Sequence, residues 1–357
     1  MPKGGEAGDS VSGVAAWGGA SGTTRGGAAS GGSDTTSAVV TGGAGGVTTE
    51  GVAGAAGSSV DLSPQQTGDM GRAEDPSVVF WRSKYYLAWA DWMGSVFVRR
   101  SSKVQTLLTD ESFTWHLGDW NTEAPGLGVV RDPRDGQEKL AVYVTSATPF
   151  PGTIRVFLTA DPGAACPGVG CEDMGTLANV AGYDGEYIAH PNGKQYLVFS
   201  TFAQLQIIEL SDPWTTVDKP VQIAAVIPHS WEAGPDGVNG LNEAPAHAFS
   251  GDVLNLVYSL HNWQGTGLDA YNDGLLTIAV SGDPLDASQW HKKLDGPSFQ
   301  GANGLNDPGS GALVSDGQVW WWIYGGFWGA VGDGPRHLRG QTVSFDAGGV
   351  VQLGTPR

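Results

Sequence analysis

The sequence predicts an all-β fold, a single five-bladed β-propeller preceded by a disordered low-complexity tether. Three observations predict it. Composition shifts abruptly near residue 70, from a Gly/Ala/Ser/Thr tract to an aromatic-rich remainder. Five strand–turn–strand units recur in that remainder, beginning near Val78, Leu127, Glu186, Ala246 and Gly311. No amphipathic helix of ordinary length separates them. Hairpins returning at a period of tens of residues mark radial repetition of four-stranded blades. A β-sandwich would show about seven shorter strands without that period and fits less well.

Residues 1–70 hold 19 Gly, 11 Ala, 9 Ser and 8 Thr, with Trp17 as their only aromatic. Such a chain cannot bury enough apolar area to offset its conformational entropy, so a flexible linker is expected there. Residues 1–10 lack the apolar run of a signal peptide. Residues 71–357 hold thirteen of the 14 Trp and are long enough for a self-sufficient core.

The first hairpin runs from Val78 to Ala90 around Arg82-Ser83. The second joins Leu127–Val130 to Leu140–Val144, with Arg131-Asp132-Pro133-Arg134-Asp135-Gly136 as its turn. The third pairs Glu186–Ala189 with Tyr196–Phe199 through Asn192-Gly193, a strong hairpin signal. The fourth turns at Gly251-Asp252 and the fifth at Asp316-Gly317. Trp320-Trp321-Trp322 alternates along the last of these and reads as packing. His190 and His247, inside strands, read as packed or hydrogen-bonded residues. Cys166 and Cys171 are close enough for a local disulfide and have no thiol or histidine neighbours at zinc spacing.

With 37 Asp plus Glu against 19 Lys plus Arg, the formal charge is −18. That excludes a basic stripe for nucleic acid, and no apolar run is long enough for a membrane helix. A disulfide behind a tether is the pattern of an extracellular or cell-surface protein, expected here as a monomer.

Each hairpin is preceded by a small polar or acidic turn: Glu74-Asp75-Pro76, Glu123-Ala124-Pro125, Tyr183-Asp184-Gly185, Glu243-Ala244-Pro245 and Asn306-Asp307-Pro308. In a propeller, equivalent ends of the innermost strands gather at one axial mouth. Carboxylates far apart in sequence would then face one another, although acids before Pro or Gly also serve as plain turn residues. Clustered carboxylates beside aromatic faces suit glycoside cleavage, which needs one acid and one carboxylate. Trp92, after the first hairpin, and Trp231, upstream of Glu243, are candidate sugar platforms. No serine elbow, phosphate loop or His-Glu-x-x-His pair occurs.

These pieces resemble glycoside hydrolase family 43, particularly its arabinofuranosidase-like members. Asp75-Pro76-Ser77-Val78 resembles the first-blade motif, Tyr183-Asp184-Gly185 the third and Asn242-Glu243-Ala244-Pro245 the fourth. The likeness continues at Phe97-Val98-Arg99-Arg100-Ser101, Gly274-Leu275-Leu276-Thr277, Asp283–Trp290, Arg336–Gln341 and Gly354-Thr355-Pro356. It implies an inverting glycosidase, of α-L-arabinofuranosidase or β-xylosidase type, acting on plant-type polysaccharide side chains. Asp75 would be general base, Glu243 general acid, and Asp184 the group that raises and aims Glu243. Glu123 and Ser310 would meet the substrate at the mouth.

Two departures stand at that mouth. Ser310 occupies the fifth-blade position where the family commonly carries a His, and Glu123-Ala124-Pro125 replaces Trp-Ala-Pro-Glu. No cofactor is required by this chemistry and no metal ligands are read, while the missing His removes one support for an axial calcium. Asn306-Asp307-Pro308 and Arg131-Asp132-Pro133 superficially match invertase motifs but come in the reverse order. A lapsed enzyme that only binds carbohydrate is the alternative.

Overall fold

The computed structural model describes residues 67, 69–73, 75–90, 94–116, 122–146, 152–233, 237, 240–261, 271–328 and 336–356. The tether expected over 1–70 lies outside the described residues except for Thr67, Asp69 and Met70. Among the described residues, regular structure is strand apart from two single 3-10 turns, Val104–Thr106 and Ala287–Gln289.

Five antiparallel sheets form the blades. The first contains Ser77–Trp81, Lys84–Ala90, Ser95–Ser101 and Glu111–His116. The second contains Thr122–Arg131, Glu138–Ser146, Thr153–Thr159 and Cys171–Thr176. The third runs Tyr183–Ala189, Gln195–Ser200 and Gln204–Asp212, with Thr215–Thr216 and Val221–Ala225 both pairing on the last. The fourth is Glu243–Ser250, Val253–His261, Tyr271–Ala279 and His291–Lys292. The fifth is Leu305–Ser315, Trp320–Trp328 and His337–Phe345, edged by Gly71–Arg72 and Val351–Gln352.

Gly71–Arg72 closes the ring, because a segment before the first blade pairs with the last. Gly71 lies opposite Leu338 and Arg72 opposite His337. Upstream, the Met70 N–H donates to the Leu338 carbonyl at 3.0 Å and the Thr67 N–H to that of Gly340 at 3.0 Å. Met70 is itself buried. The propeller therefore begins a few residues inside the stretch that composition assigns to the tether.

Period-2 alternation sends each strand's two faces toward two different neighbours. Trp321 and Ile323 join a cluster with Val78, Tyr85 and Leu87 of the first blade. Trp322 and Tyr324 join one with Ala248 and Val257 of the fourth. Among the described residues one apolar cluster fills each of the five seams between blades. The Trp triplet is thus packing, and removing a side chain such as Trp322 costs about 3–5 kcal/mol.

The innermost strands approach closely at the axis. A Cβ on Gly126 would lie 1.7 Å from the Gly185 carbonyl oxygen, so only glycine fits at that crossing. Cys166 and Cys171 form the disulfide, within the cluster between the first two blades. Residues 131–136 form the second-blade hairpin turn, where Arg134 and Lys139 bind the buried Asp132 carboxylate and hold it well below the usual carboxylate range. His190 packs edge-on against Tyr196 and Phe249.

Candidate active site

The acids read as turn residues sit on a bulge that recurs around the ring. Pairing slips between Glu123 and Gly126, Tyr183 and Glu186, Glu243 and Ala246, and Asn306 and Gly309. One residue of each step is left-handed: Ala124 at φ 35°, Asp184 at 56°, Ala244 at 47° and Asp307 at 48°. Asp75, just before the first innermost strand, matches them at 47°. A bulge turns successive side chains off the strand's alternation, which re-aims them at the axis. Asp and Asn tolerate this conformation best, so the two alanines hold it at a local cost.

Asp75, Asp184, Glu186 and Ser310 line one axial pocket, with Ala, Gly and Pro filling most of the rest of its wall. Glu123 senses the charges of both Asp75 and Glu243, which puts its carboxyl at the same mouth. Glu243 accepts from the Tyr271 hydroxyl at 2.8 Å (Oε1) and from the Tyr183 hydroxyl at 3.3 Å (Oε2). Asp184 Oδ2 accepts the backbone N–H of Ala244 at 2.8 Å, so it grips the residue next to Glu243 and fixes that bulge. Thr145 Oγ1 accepts the Asp184 N–H at 3.2 Å.

Burial is the first cause of the perturbed acidities. It pushes Glu243 up to about 7, helped by the Asp75 charge and opposed by the two tyrosine hydroxyls and Arg336. Glu123 also rises to about 7, from burial and then the charges of Asp75 and Glu243. Asp184 is driven well above its ordinary value by burial and then by Glu243 and Asp75, against the pull of the Ala244 N–H. Carboxyls that feel one another's charge, with their hydration cut by burial, cannot all ionise together near neutrality. The site therefore stores protons.

The remaining residues singled out from sequence fall as follows. Trp92 lies outside the described residues. Trp231 is half-buried against the cluster between blades three and four and is not in the pocket wall. Ser310 is buried, with its hydroxyl 2.7 Å from that of Tyr271. Asp307, the fifth-blade acid, turns its Oδ1 to the Tyr271 N–H at 3.1 Å. His247 pairs its Nδ1 with Glu186 Oε1 at 2.5 Å.

An axial cation would find few donors here. Ser310 is engaged by Tyr271 and Glu186 by His247, and among the described residues no group of three His, Cys, Asp or Glu is set to hold a metal ion. No step is routed through such an ion.

Tyr271 and Arg336 belong to the site without a local sequence signal for it. Tyr271 stands 28 residues beyond Glu243, on the third strand of the same blade, and no local pattern ties the two. Arg336 lies over the Tyr271 ring at 5.0 Å and donates to the carbonyls of Asp307, Gly309 and Gly325. Its signal was present in the closing Arg336–Gln341 stretch, but nothing there pointed to the mouth.

A five-bladed ring with a cluster of proton-holding carboxyls at its axis defines a class of carbohydrate-cleaving propeller. The profile of glycosyl hydrolases family 43 matches residues 70–351, and the chain belongs to that family. No curated protein sequence matches it. Among solved structures, the chain is similar to an alpha-L-arabinofuranosidase from Lactobacillus brevis, at 22% identity and TM-score 0.67, covering 80% of this chain and 94% of that one. It is also similar to an endo-1,4-beta-xylanase from Bacteroides thetaiotaomicron, at 19% identity and TM-score 0.61, over 82% and 100% of the two chains. A xylan beta-1,4-xylosidase from Bacillus halodurans aligns at 15% identity and TM-score 0.57, over 81% of this chain and 57% of its own length.

Proposed function

We propose that this protein is an inverting glycosidase that removes pentosyl side chains, α-L-arabinofuranosyl or β-xylosyl, from plant-type polysaccharides. The observation that carries the reading is Glu243, a half-buried residue whose carboxyl is pushed up to about 7 by desolvation and the nearby Asp75 charge. Glu243 donates its proton to the glycosidic oxygen as the bond to the anomeric carbon breaks. Asp75 takes a proton from the water that attacks that carbon from the opposite face, which inverts the anomer. Asp184 aims the acid through the Ala244 N–H, and the charge of Asp75 helps to keep Glu243 protonated until the transition state. Glu123 and Ser310 complete the sugar's surroundings, without a cofactor.

The pentoside preference draws on the printed identities of the similar structures, an arabinofuranosidase, a xylanase and a xylosidase. An extracellular location, which the Cys166–Cys171 disulfide supports, and a monomeric state belong to the same proposal. Nitrophenyl arabinofuranoside, xyloside and galactoside panels test it, with the first anomer formed read by NMR. Release of pentose with inversion is expected. Retention would refute the inverting assignment, and no turnover of any glycoside alongside intact carbohydrate binding would replace it with the noncatalytic reading.

A further inference from the structure

Tyr271 has one phenolic proton and two neighbours that claim it, Glu243 Oε1 at 2.8 Å and Ser310 Oγ at 2.7 Å. Ser310 is held in place from behind. Its N–H donates to Ser259 Oγ at 2.8 Å, and the Ser259 hydroxyl donates to Asp273 Oδ1 at 2.7 Å. That commits the Ser259 proton and leaves the Ser310 hydroxyl to Tyr271. Asp273 is fully buried, its Oδ2 finds no partner among the described residues, and burial pushes it up to about 8.

Resting on the reading of Glu243 as the acid, we propose that Ser310 is its positioning residue, acting through Tyr271. When Glu243 is ionised, Ser310 donates to the Tyr271 oxygen and Tyr271 donates to Glu243. When Glu243 holds the proton, the Tyr271 hydroxyl turns and donates to Ser310. The hydroxyl pair thus follows the charge on the acid through a turnover, with no proton leaving the site. This gives the serine that replaces the family's histidine a task of its own. The ionisable groups that face Glu243 from the surrounding blades are Asp75, Glu123, Tyr183, Asp184, Tyr271 and Arg336. Of these, Tyr271 is the one Ser310 touches.

The test is a ¹³C NMR titration of the Glu243 carboxyl in glutamate-labelled protein without substrate, assigned with Glu243→Gln. Wild type is compared with Ser310→Ala, Tyr271→Phe and the double variant. Alanine can hold the left-handed backbone here at a local cost, as Ala124 and Ala244 already do. Loss of a hydrogen bond to a charged carboxylate should raise the midpoint by about one pH unit in Tyr271→Phe. Ser310→Ala should raise it by roughly half that, and the double variant should match Tyr271→Phe, since Ser310 reaches Glu243 only through Tyr271. The alkaline limb of kcat/KM should move with the midpoint. An unmoved midpoint in Ser310→Ala, or a shift that adds to that of Tyr271→Phe, overturns the proposal. Should Ser310→Ala fail to fold, Ser310→Gly keeps the backbone and is held to the same result. Midpoints that move as expected in a protein inactive on every glycoside would support the Ser310 role and refute the hydrolase reading instead.

Discussion

Glu243→Gln should stabilise this protein at alkaline pH while it removes the acid. Burial and the Asp75 charge raise the Glu243 carboxyl from 4.5 to about 7 in the folded chain. An unfolded chain releases that proton near the ordinary value. Between the two values the native state holds a proton that the unfolded state has lost, so stability falls as pH rises through this window. Below it both states are protonated and nothing is lost. Above it the full difference applies, about 3 kcal/mol at ~1.4 kcal/mol per unit. Asp184 and Glu123 titrate with Glu243, so that figure belongs to the cluster. Glutamine is nearly isosteric and can still accept from Tyr271 while its amide faces Tyr183. Urea unfolding of wild type and Glu243→Gln at pH 4 and pH 8 reads the effect. Near-equal stabilities are expected at pH 4, and a gain of about 3 kcal/mol for the variant at pH 8, or roughly 6 °C in Tm. A difference that does not change between the two pH values would refute the claim that Glu243 is forced to keep its proton.

Further outcomes can be checked with few variants. Asp75→Asn should abolish turnover of all substrates, whereas Glu243→Gln should spare activated aryl glycosides, whose leaving groups need little protonation; equal losses on a leaving-group series would contradict the two roles. Trp231→Ala should lower stability by about 3 kcal/mol with sugar affinity little changed, because its ring packs against the seam between blades three and four; calorimetry paired with affinity electrophoresis decides. Serine at both Cys166 and Cys171 should cost about 2 kcal/mol, the loop-closure value for so short a crosslink, and unchanged urea midpoints would count against it. Deletion through residue 72 should destabilise the fold far more than deletion of residues 1–60, because it removes Met70 and the strand paired with His337–Leu338; equal melting temperatures would dismiss that closure.

What was legible in the sequence was local. The hairpins at Asn192-Gly193 and Asp316-Gly317 carry turn chemistry and alternating strands within a dozen residues, so the number of blades could be read. Ring closure could not. The two residues Gly71–Arg72 have no periodicity, and their partner lies at the far end of the chain. The acids before each hairpin were visible as a repeated pattern, but their geometry was not. Acids before Pro or Gly read as turns, and the structure puts most of them on bulged strand ends whose left-handed step falls on alanine in two blades, where residue type gives no warning. Tyr271 meets Glu243 only because two strands of one blade bring them together. The position of Trp231 before Glu243 points to the mouth, and hydrophobic packing between blades three and four claims its ring instead.

The repeated bulge also explains which carboxyls end up facing one another. In blades one, three and five the left-handed residue is Asp75, Asp184 and Asp307; in blades two and four it is alanine, preceded by Glu123 and Glu243. The ring therefore alternates Asp and Glu, and an odd number of blades cannot close such an alternation. Two Asp blades must adjoin, the fifth and the first. The structure resolves the conflict by turning Asp307 away, its carboxylate accepting the Tyr271 N–H. That leaves Asp75, Glu123, Asp184 and Glu243, with each Glu between two Asp. Glu123 and Glu243 sit at equivalent positions and both rise to about 7, so acidity does not choose between them. Support does. Glu243 has a tyrosine hydroxyl on each oxygen, and Asp184 grips its neighbour's backbone. One of those tyrosines is set in turn by Asp307 at its backbone and by Ser310 at its hydroxyl. The fifth blade thus gives up a place at the mouth to hold the acid of the fourth, and this asymmetry singles out one glutamate in a nearly symmetric ring.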